Sequence, residues 1–472
     1  MRLLLFLGHN WITGLGAVLT TGAGVTMVGF WILEILQLRP VQPYAGIILF
    51  MVLPIVFVAG LALMPIGALW HRRRLRARGE LPQAYPRIDL HDPALRHGAA
   101  LVGVATAVNV VILSTASYKS VEHMDSVQFC GATCHTVMAP EYTTYLGSPH
   151  SRVACVECHI GEGASWFVRS KLSGTRQVFA VTFHTYSRPI PSPVKHLRPA
   201  RETCEQCHWP QKFHGDKFLV RTKYQSDEAN TKLTTVLVLK VGGRTWQGSV
   251  GIHGRHLTDK QRISYTAIDG KRQVIQRVTY LDDAGRTVEF VSTEVKATPE
   301  QLAAGEQRNM DCMDCHNRPT HVFELPDRAV DRAMFAGEIS PDLPFVKKKS
   351  VELLKAEYPD QATAAAKIAA GLVDFYKGSY PETYANHRAL VETAAQGLVA
   401  IYRRNVFPDM KVAWGTYPNN IGHEDFLGCF RCHDDNHKSA DGRTITQDCS
   451  ACHNVLAMEE SNPKILAELG IE

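Results

Sequence analysis

Cys155-Val156-Glu157-Cys158-His159 reads as a clamp of two thiols with an imidazole beside it. The pattern returns at Cys204/Cys207/His208, Cys312/Cys315/His316, Cys429/Cys432/His433 and Cys449/Cys452/His453. A wider version, Cys130/Cys134/His135, stands before them, and together the six motifs use all twelve cysteines of the 472-residue chain. Cys-x-x-Cys-His is the attachment spacing of c-type haem. Two thiols add to the two vinyl groups of one porphyrin, and the adjacent His reaches the iron from one face. A disulfide framework has no need of a His after every second Cys. Structural zinc needs four ligands from paired Cys-x-x-Cys units or a distant His pair. The expectation is therefore six covalent haem c groups, the extended first motif included.

Upstream of the motifs the chain is apolar in three stretches, about Trp11 to Leu38, Tyr44 to Trp70 and Gly98 to Tyr118. Each is near the roughly 20 residues that cross a bilayer. A cleavable signal peptide competes for the first, but its length and the second span that follows at once argue against cleavage. Arg72, Arg73, Arg74, Arg76 and Arg78 follow the second span, whereas the preceding loop holds only Arg39. The positive-inside rule then puts the N-terminus in the cytoplasm and everything after Tyr118 outside. Haem is attached to such motifs on the outer side of bacterial inner membranes, so the predicted location is that membrane with a periplasmic haem domain. Glu34, near the outer end of the first span, is a functional candidate because ionisable groups at such depth are costly.

The predicted fold is mainly α with little regular structure: three transmembrane helices, then a periplasmic multihaem domain with a small β insertion. Six segments are expected: a membrane domain at 1–118, haems 1–3 at 119–228, the β insertion at 229–298, haem 4 at 299–340, a helical segment at 341–405, and haems 5–6 at 406–472. TTVLVLKV, QVIQRVTYL and RTVEFVS are β-branched alternating runs separated by Asp-Gly-type turns. Residues 341–405 carry Ala-rich segments of helical period. With 51 basic and 46 acidic residues the net charge is +5, without a like-charge run that points to nucleic acid.

Each motif His fills one axial position, and electron-transfer haems usually take a second ligand, His or Met. Of 21 histidines, fifteen lie outside the motifs. A lone His is ordinarily just a polar surface residue, but here several irons need a partner. His321 and His437 follow a motif closely enough to reach a neighbouring haem, and His150 lies five residues before Cys155. His253 sits in the β insertion, where ligation would explain why the insertion packs on a haem core. His184 and His423 complete the candidates, with Met138 for the first haem. His9, His71, His91 and His97 belong to the membrane part, and His123, His196, His214, His256 and His387 are expected to be exposed or structural.

FCGATCHTVMAPEY, SPHSRVACVECHIGEGA and ETCEQCHWP, after an N-terminal anchor, resemble the NapC/NirT family of membrane-anchored cytochromes, and CMDCHNRPTH, GCFRCHDDNH and DCSACH resemble its longer members. The resemblance implies oxidation of a membrane quinol (menaquinol or ubiquinol) beside the first haem. Electrons would pass to periplasmic cytochromes or reductases. It implies Met138 as an axial ligand, although the spacing within the Cys pair and after the His each differs by one residue. The family's Lys twelve residues after the second motif His corresponds to Lys171. Where the family often carries an acid, this chain has Gln177 and Val178, which leaves the proton acceptor open; Lys171 and Gln177 would hydrogen-bond the quinol oxygen. Two other functions compete. A terminal reductase needs an open iron position, often with a C-x-x-C-K motif that is absent here. A passive conduit subunit of a larger membrane complex would use the extra spans for docking.

Overall fold

The computed structural model describes residues 10–36, 48–80, 93–133, 135–161, 163–194, 197–209, 215–245, 248–257, 263–282 and 284–471. Cys134 and the side chains of Glu34 and His135 lie outside that set, as do His9, Arg39, His91, His196 and His214. The chain forms two compact units, Met1–Cys134 and His135–Glu472.

The first unit consists of α1 (Trp11–Ile35), α2 (Leu53–Ala77) and α3 (Pro93–Met124). Among the described residues three helices are long and apolar enough to cross a membrane, Trp11–Leu33, Ile48–Ala77 and Ala99–Met124. Small residues let α1 and α2 approach closely: a Cβ on Gly16 would stand 2.7 Å from the Gly60 carbonyl oxygen. Thr13 donates across that seam to the Met64 carbonyl at 3.2 Å. Ala23, Met27, Phe57 and Ala116 fill the interior, while Val18, Ile55 and Leu101 face outward. Two helices outrun their apolar windows. α2 continues through the arginine cluster to Ala77, and α3 begins at Pro93 and ends at Met124. Apolarity marks the hydrocarbon thickness, whereas the backbone ladder can continue into water. At the end of α3, the His123 ring stacks on Phe50 at 4.8 Å and meets Phe129 edge-on at 5.4 Å.

The second unit starts with α4 (His135–Leu146) and α5 (Ala164–Thr182). Strands follow, from β1 (Lys217–Tyr224) to β8 (Glu306–Asn309). The strand region therefore begins before the expected 229 and is not self-contained. Of the two larger sheets one has the order β1-β2-β10 and the other β8-β5-β6-β7-β9, and a two-stranded sheet pairs β3 (Gly243–Thr245) with β4 (Gly248–Val250). Here β2 is Lys232–Leu239, β5 Ile263–Ala267, β6 Ile275–Leu281, β7 Thr287–Ser292, β9 His437–Ser439 and β10 His453–Glu460. Both larger sheets thus take a strand from the last haem segment. His453 opens β10 opposite Leu239, and His437 opens β9 opposite Ser292. A one-and-a-half-turn helix, α6 (Gly251–His256), interrupts the strands.

The helical segment contains α7 (Pro326–Phe335), α8 (Val346–Lys355), α9 (Gln361–Ser379) and α10 (Pro381–Asn405). Asp360 caps α9 by accepting from the Thr363 N–H at 2.7 Å. Ala364, Ile368, Leu372 and Tyr376, spaced by four, are fully buried against Val391, Ala395 and Leu398 of α10. α10 is kinked at His387.

A polar clamp joins this bundle to the first sheet. Lys347 Nζ lies 2.6 Å from the Asp331 carboxylate and donates to the Asp327 carbonyl at 2.6 Å; Asp331 also accepts from the Tyr224 N–H at 2.9 Å. The Lys347 side chain is only 4 % exposed. Removing one member of a buried ion pair leaves the other charge uncompensated, which costs about 3–5 kcal/mol. Lys347→Met is expected to lower stability by that amount in denaturant unfolding followed by helical circular dichroism. Adding Asp331→Asn should recover more than half of it. A loss below about 1 kcal/mol, the worth of an exposed pair, would rule the clamp out as a major contributor.

Candidate metal centres and their ligand pairs

Each Cys-x-x-Cys-His motif folds as a tight turn. The His N–H returns to the carbonyl of the first Cys, at 2.8 Å for His208 on Cys204, 2.8 Å for His316 on Cys312 and 3.0 Å for His433 on Cys429. Such a turn gathers two thiols and an imidazole around one volume. The fourth motif is the most firmly held. Asp311 accepts from the Met313 N–H at 2.8 Å, and Asp314 accepts from the Asp311 N–H at 2.7 Å. The buried Asp314 carboxylate also receives Tyr265 Oη and Arg308 Nε. Burial, and then the Asp314 charge, push the Tyr265 phenol well above its usual range.

Five motif histidines face a second imidazole. His208 stands opposite His150 with ring centroids 6.0 Å apart. His159 faces His321 at 6.4 Å, and His316 faces His253 at 6.3 Å. His433 faces His256 at 5.8 Å, and His453 faces His423 at 6.2 Å. These gaps are too wide for a direct hydrogen bond. They fit an interposed metal, since two metal–nitrogen bonds of about 2 Å plus the two ring radii put centroids roughly 6 Å apart. At the fourth motif the gap opens into a cleft of about 60 Å³ bounded by Cys312, Cys315, His316, His253 and His256. The donor set, two thiols and two imidazoles per site, is that of a bis-histidine haem c, so the residues present fit the group.

Ring hydrogen bonds select the metal-facing nitrogen. Nδ1 of His256 bonds the Ile252 carbonyl at 2.8 Å, that of His321 the Glu141 carbonyl at 2.8 Å, that of His433 the Thr446 carbonyl at 2.9 Å and that of His150 the Pro319 carbonyl at 3.3 Å. An N–H donated from Nδ1 fixes the tautomer that leaves Nε2 as an acceptor. Burial lowers the pKa of His159, His253, His256, His316, His321 and His423 from the ordinary imidazole value. That favours the neutral form that binds metal.

His256 was expected to be exposed or structural, yet it faces a motif His. The available signal was the three-residue interval from His253: in a helix, residues three apart share a face, and GIHGRH forms α6. A strand would send the two rings to opposite faces. His437 is placed differently from the other candidates. It is 1 % exposed, its Nδ1 bonds Asp434 at 2.9 Å and its Nε2 the Ile275 carbonyl at 3.2 Å. Both nitrogens are engaged in fastening β9, so the ring has none to offer a metal. His184 is exposed, has a positive φ of 54° and meets Tyr186, not a motif His, among the described residues. Met138 lies half-buried in the first turn of α4; its relation to the His135 ring lies outside the described residues. On α5, Lys171 is half-buried and Gln177 is exposed, donating to Ser173 at 3.3 Å.

The motifs are also neighbours of one another. Cys158 lies beside Cys207. Cys204 and Cys312 share a hydrogen bond. Cys315 adjoins Cys429, and Cys429 adjoins Cys452. Motifs two to six thus form a row in chain order.

Residues 93–190 match the model of the NapC/NirT cytochrome c family, N-terminal region. The chain is 41% identical over 461 residues to the cytochrome c-type protein ImcH of Geobacter sulfurreducens, covering 96% of this chain and 90% of that protein. It is 28% identical over 113 residues to the cytochrome c-type protein NrfH of Wolinella succinogenes, covering 23% of this chain and 63% of that one. No solved structure matches. Motifs that use every cysteine, membrane-spanning helices ahead of them and near-complete alignment with ImcH lead to one assignment: the chain belongs to the NapC/NirT-related multihaem c-type cytochromes, membrane-anchored electron carriers with covalently attached haem.

Proposed function

We propose that this chain is an inner-membrane quinol dehydrogenase that passes electrons from menaquinol or ubiquinol through six haem c groups to periplasmic cytochromes or reductases. The observation that carries this reading is the set of five facing imidazole pairs, with a hydrogen bond between Cys204 and Cys312 of the third and fourth motifs and the cysteines of the other successive motifs near enough to interact electrostatically. When bound, each haem supplies a one-electron iron centre. The chain's own part would be to hold those centres close and in order: His150 would serve the third motif, His321 the second, His253 the fourth, His256 the fifth and His423 the sixth. His135 and Met138 would serve the first. The arginines at the end of α2, where Arg74 lies over the Trp70 ring at 5.4 Å, support a cytoplasmic position for that end and a periplasmic one for the haems.

Lys171 is the residue proposed to hydrogen-bond the quinol oxygen. Gln177 is six positions on, so its side chain leaves α5 about 120° away, at about 100° per residue. Two side chains so divergent do not meet on one small ring, and Gln177 receives no role. Intact mass and a pyridine haemochrome assay are expected to count six haems on the mature chain. Purified protein should be reduced by a menaquinol analogue with no other subunit present. Lys171→Met should slow that reduction about ten- to a hundredfold, the worth of a hydrogen bond involving a charged group. Six haems that accept electrons from dithionite but none from quinol would turn the reading to a conduit subunit of a larger complex.

A further inference from the structure

α5 carries an apolar stripe on the side that faces away from its own domain. Val168, Leu172, Phe179 and Phe183 follow the helical spacing and fall within about 60° of one another at 100° per residue. All are exposed, Leu172 and Phe183 at 68 %. The Phe179 and Phe183 rings stack in parallel planes with centroids 6.4 Å apart. The inward side is set by Ser170, Gly174 and Val181, the last packing on a buried cluster around Val137 and Phe407. An amphipathic helix normally turns its apolar stripe to the core; this one turns it to the outside.

The borders of the stripe identify what covers it. Arg169 and Arg176 flank one side and Lys171 the other, and the helix contains neither Asp nor Glu. Arg169 lies over the Trp166 ring at 5.2 Å. Phe and Leu on one face with cations along the edges is the pattern of a helix lying in the headgroup region of an anionic bilayer. Such a bilayer is at hand, because the same chain carries three helices able to span one. We propose that α5 lies in the plane of the membrane surface, with Val168, Leu172, Phe179 and Phe183 sunk into the acyl boundary and Arg169 and Arg176 on acidic lipid phosphates. The helix is thus a second membrane contact of the chain, separate from the spans, and its lipid contact rests on Val168, Leu172, Phe179, Phe183 and the arginines and not on the quinol role of Lys171.

Photocrosslinking of the full holoprotein tests this. Benzoylphenylalanine is placed at position 179 or 183, with position 367 on the exposed side of α9 as control. The protein is reconstituted in nanodiscs of phosphatidylethanolamine and phosphatidylglycerol, irradiated and weighed intact. Positions 179 and 183 are expected to gain a lipid mass at least about tenfold more often than 367, enriched in phosphatidylglycerol. Adducts at the control level, or crosslinks to a second protein chain instead of lipid, would overturn the proposal. Haem content and quinol reduction are read separately on the same sample, so loss of one reading leaves the other intact.

Discussion

Replacing His256 by Leu is expected to turn one haem in six from low-spin to high-spin, with the other five unchanged. The expectation follows from position. His256 ends α6, its Nδ1 is tied to the Ile252 carbonyl at 2.8 Å, and its ring stands 5.8 Å from that of His433. Burial lowers its pKa and so favours the neutral ring. No hydroxyl, carboxylate or amide on Leu can take its place, so the fifth site would keep His433 alone. The readouts are the high-spin signal in electron paramagnetic resonance and the charge-transfer band in the visible spectrum. Quinol-driven reduction of an acceptor at the far end should fall at least about tenfold, because even changes to groups that only orient a metal ligand cost about 10–100-fold. His437→Leu is the contrast. It removes a ring held by Asp434 and the Ile275 carbonyl, so it should cost about 1–3 kcal/mol of stability. Every haem should remain low-spin. If His437→Leu produced the high-spin signal and His256→Leu did not, the two assignments would have to be exchanged.

That pair also marks how far sequence reading reaches. The covalent clamp is local: two thiols and an imidazole within five or six residues, which any pass along the chain detects. The opposite imidazole comes from elsewhere. His321 follows the fourth motif but faces His159 of the second, and His150 precedes the second motif but faces His208 of the third. Proximity in sequence therefore names candidates without naming their partners. It favoured His437, five residues after Cys432, whereas chain topology uses His437 to fasten a strand. His256 was legible only to a reader who put GIHGRH on a helix, and the surrounding alternating runs argued for strands. The sheets had the same difficulty. TTVLVLKV announces β2, but its neighbour β10 begins at a motif His more than 200 residues later, in a stretch with weak alternation of its own. The spans were plain from composition, since bilayer thickness imposes a length that few soluble helices share. Their ends were not, because the helical ladder of α2 continues through arginines that water solvates.

Removing both thiols of the fourth motif, Cys312→Ala with Cys315→Ala, is expected to divide the row in two. On one side Cys312 bonds Cys204 of the third motif; on the other Cys315 adjoins Cys429 of the fifth. Intact mass should fall by one haem. Quinol should then rapidly reduce at most three of the remaining five haems, those on the membrane side of the break. Dithionite with small soluble mediators should reduce all five, which separates a broken route from a damaged protein. The turn itself has support that does not depend on the thiols, because Asp311 and Asp314 cap it and Arg308 and Tyr265 anchor Asp314. The double variant should therefore retain the second sheet, to be checked by its far-ultraviolet spectrum. The amplitude is the decisive number. Rapid reduction of all five haems by quinol would mean that electrons bypass the fourth site, and chain order would no longer describe the path.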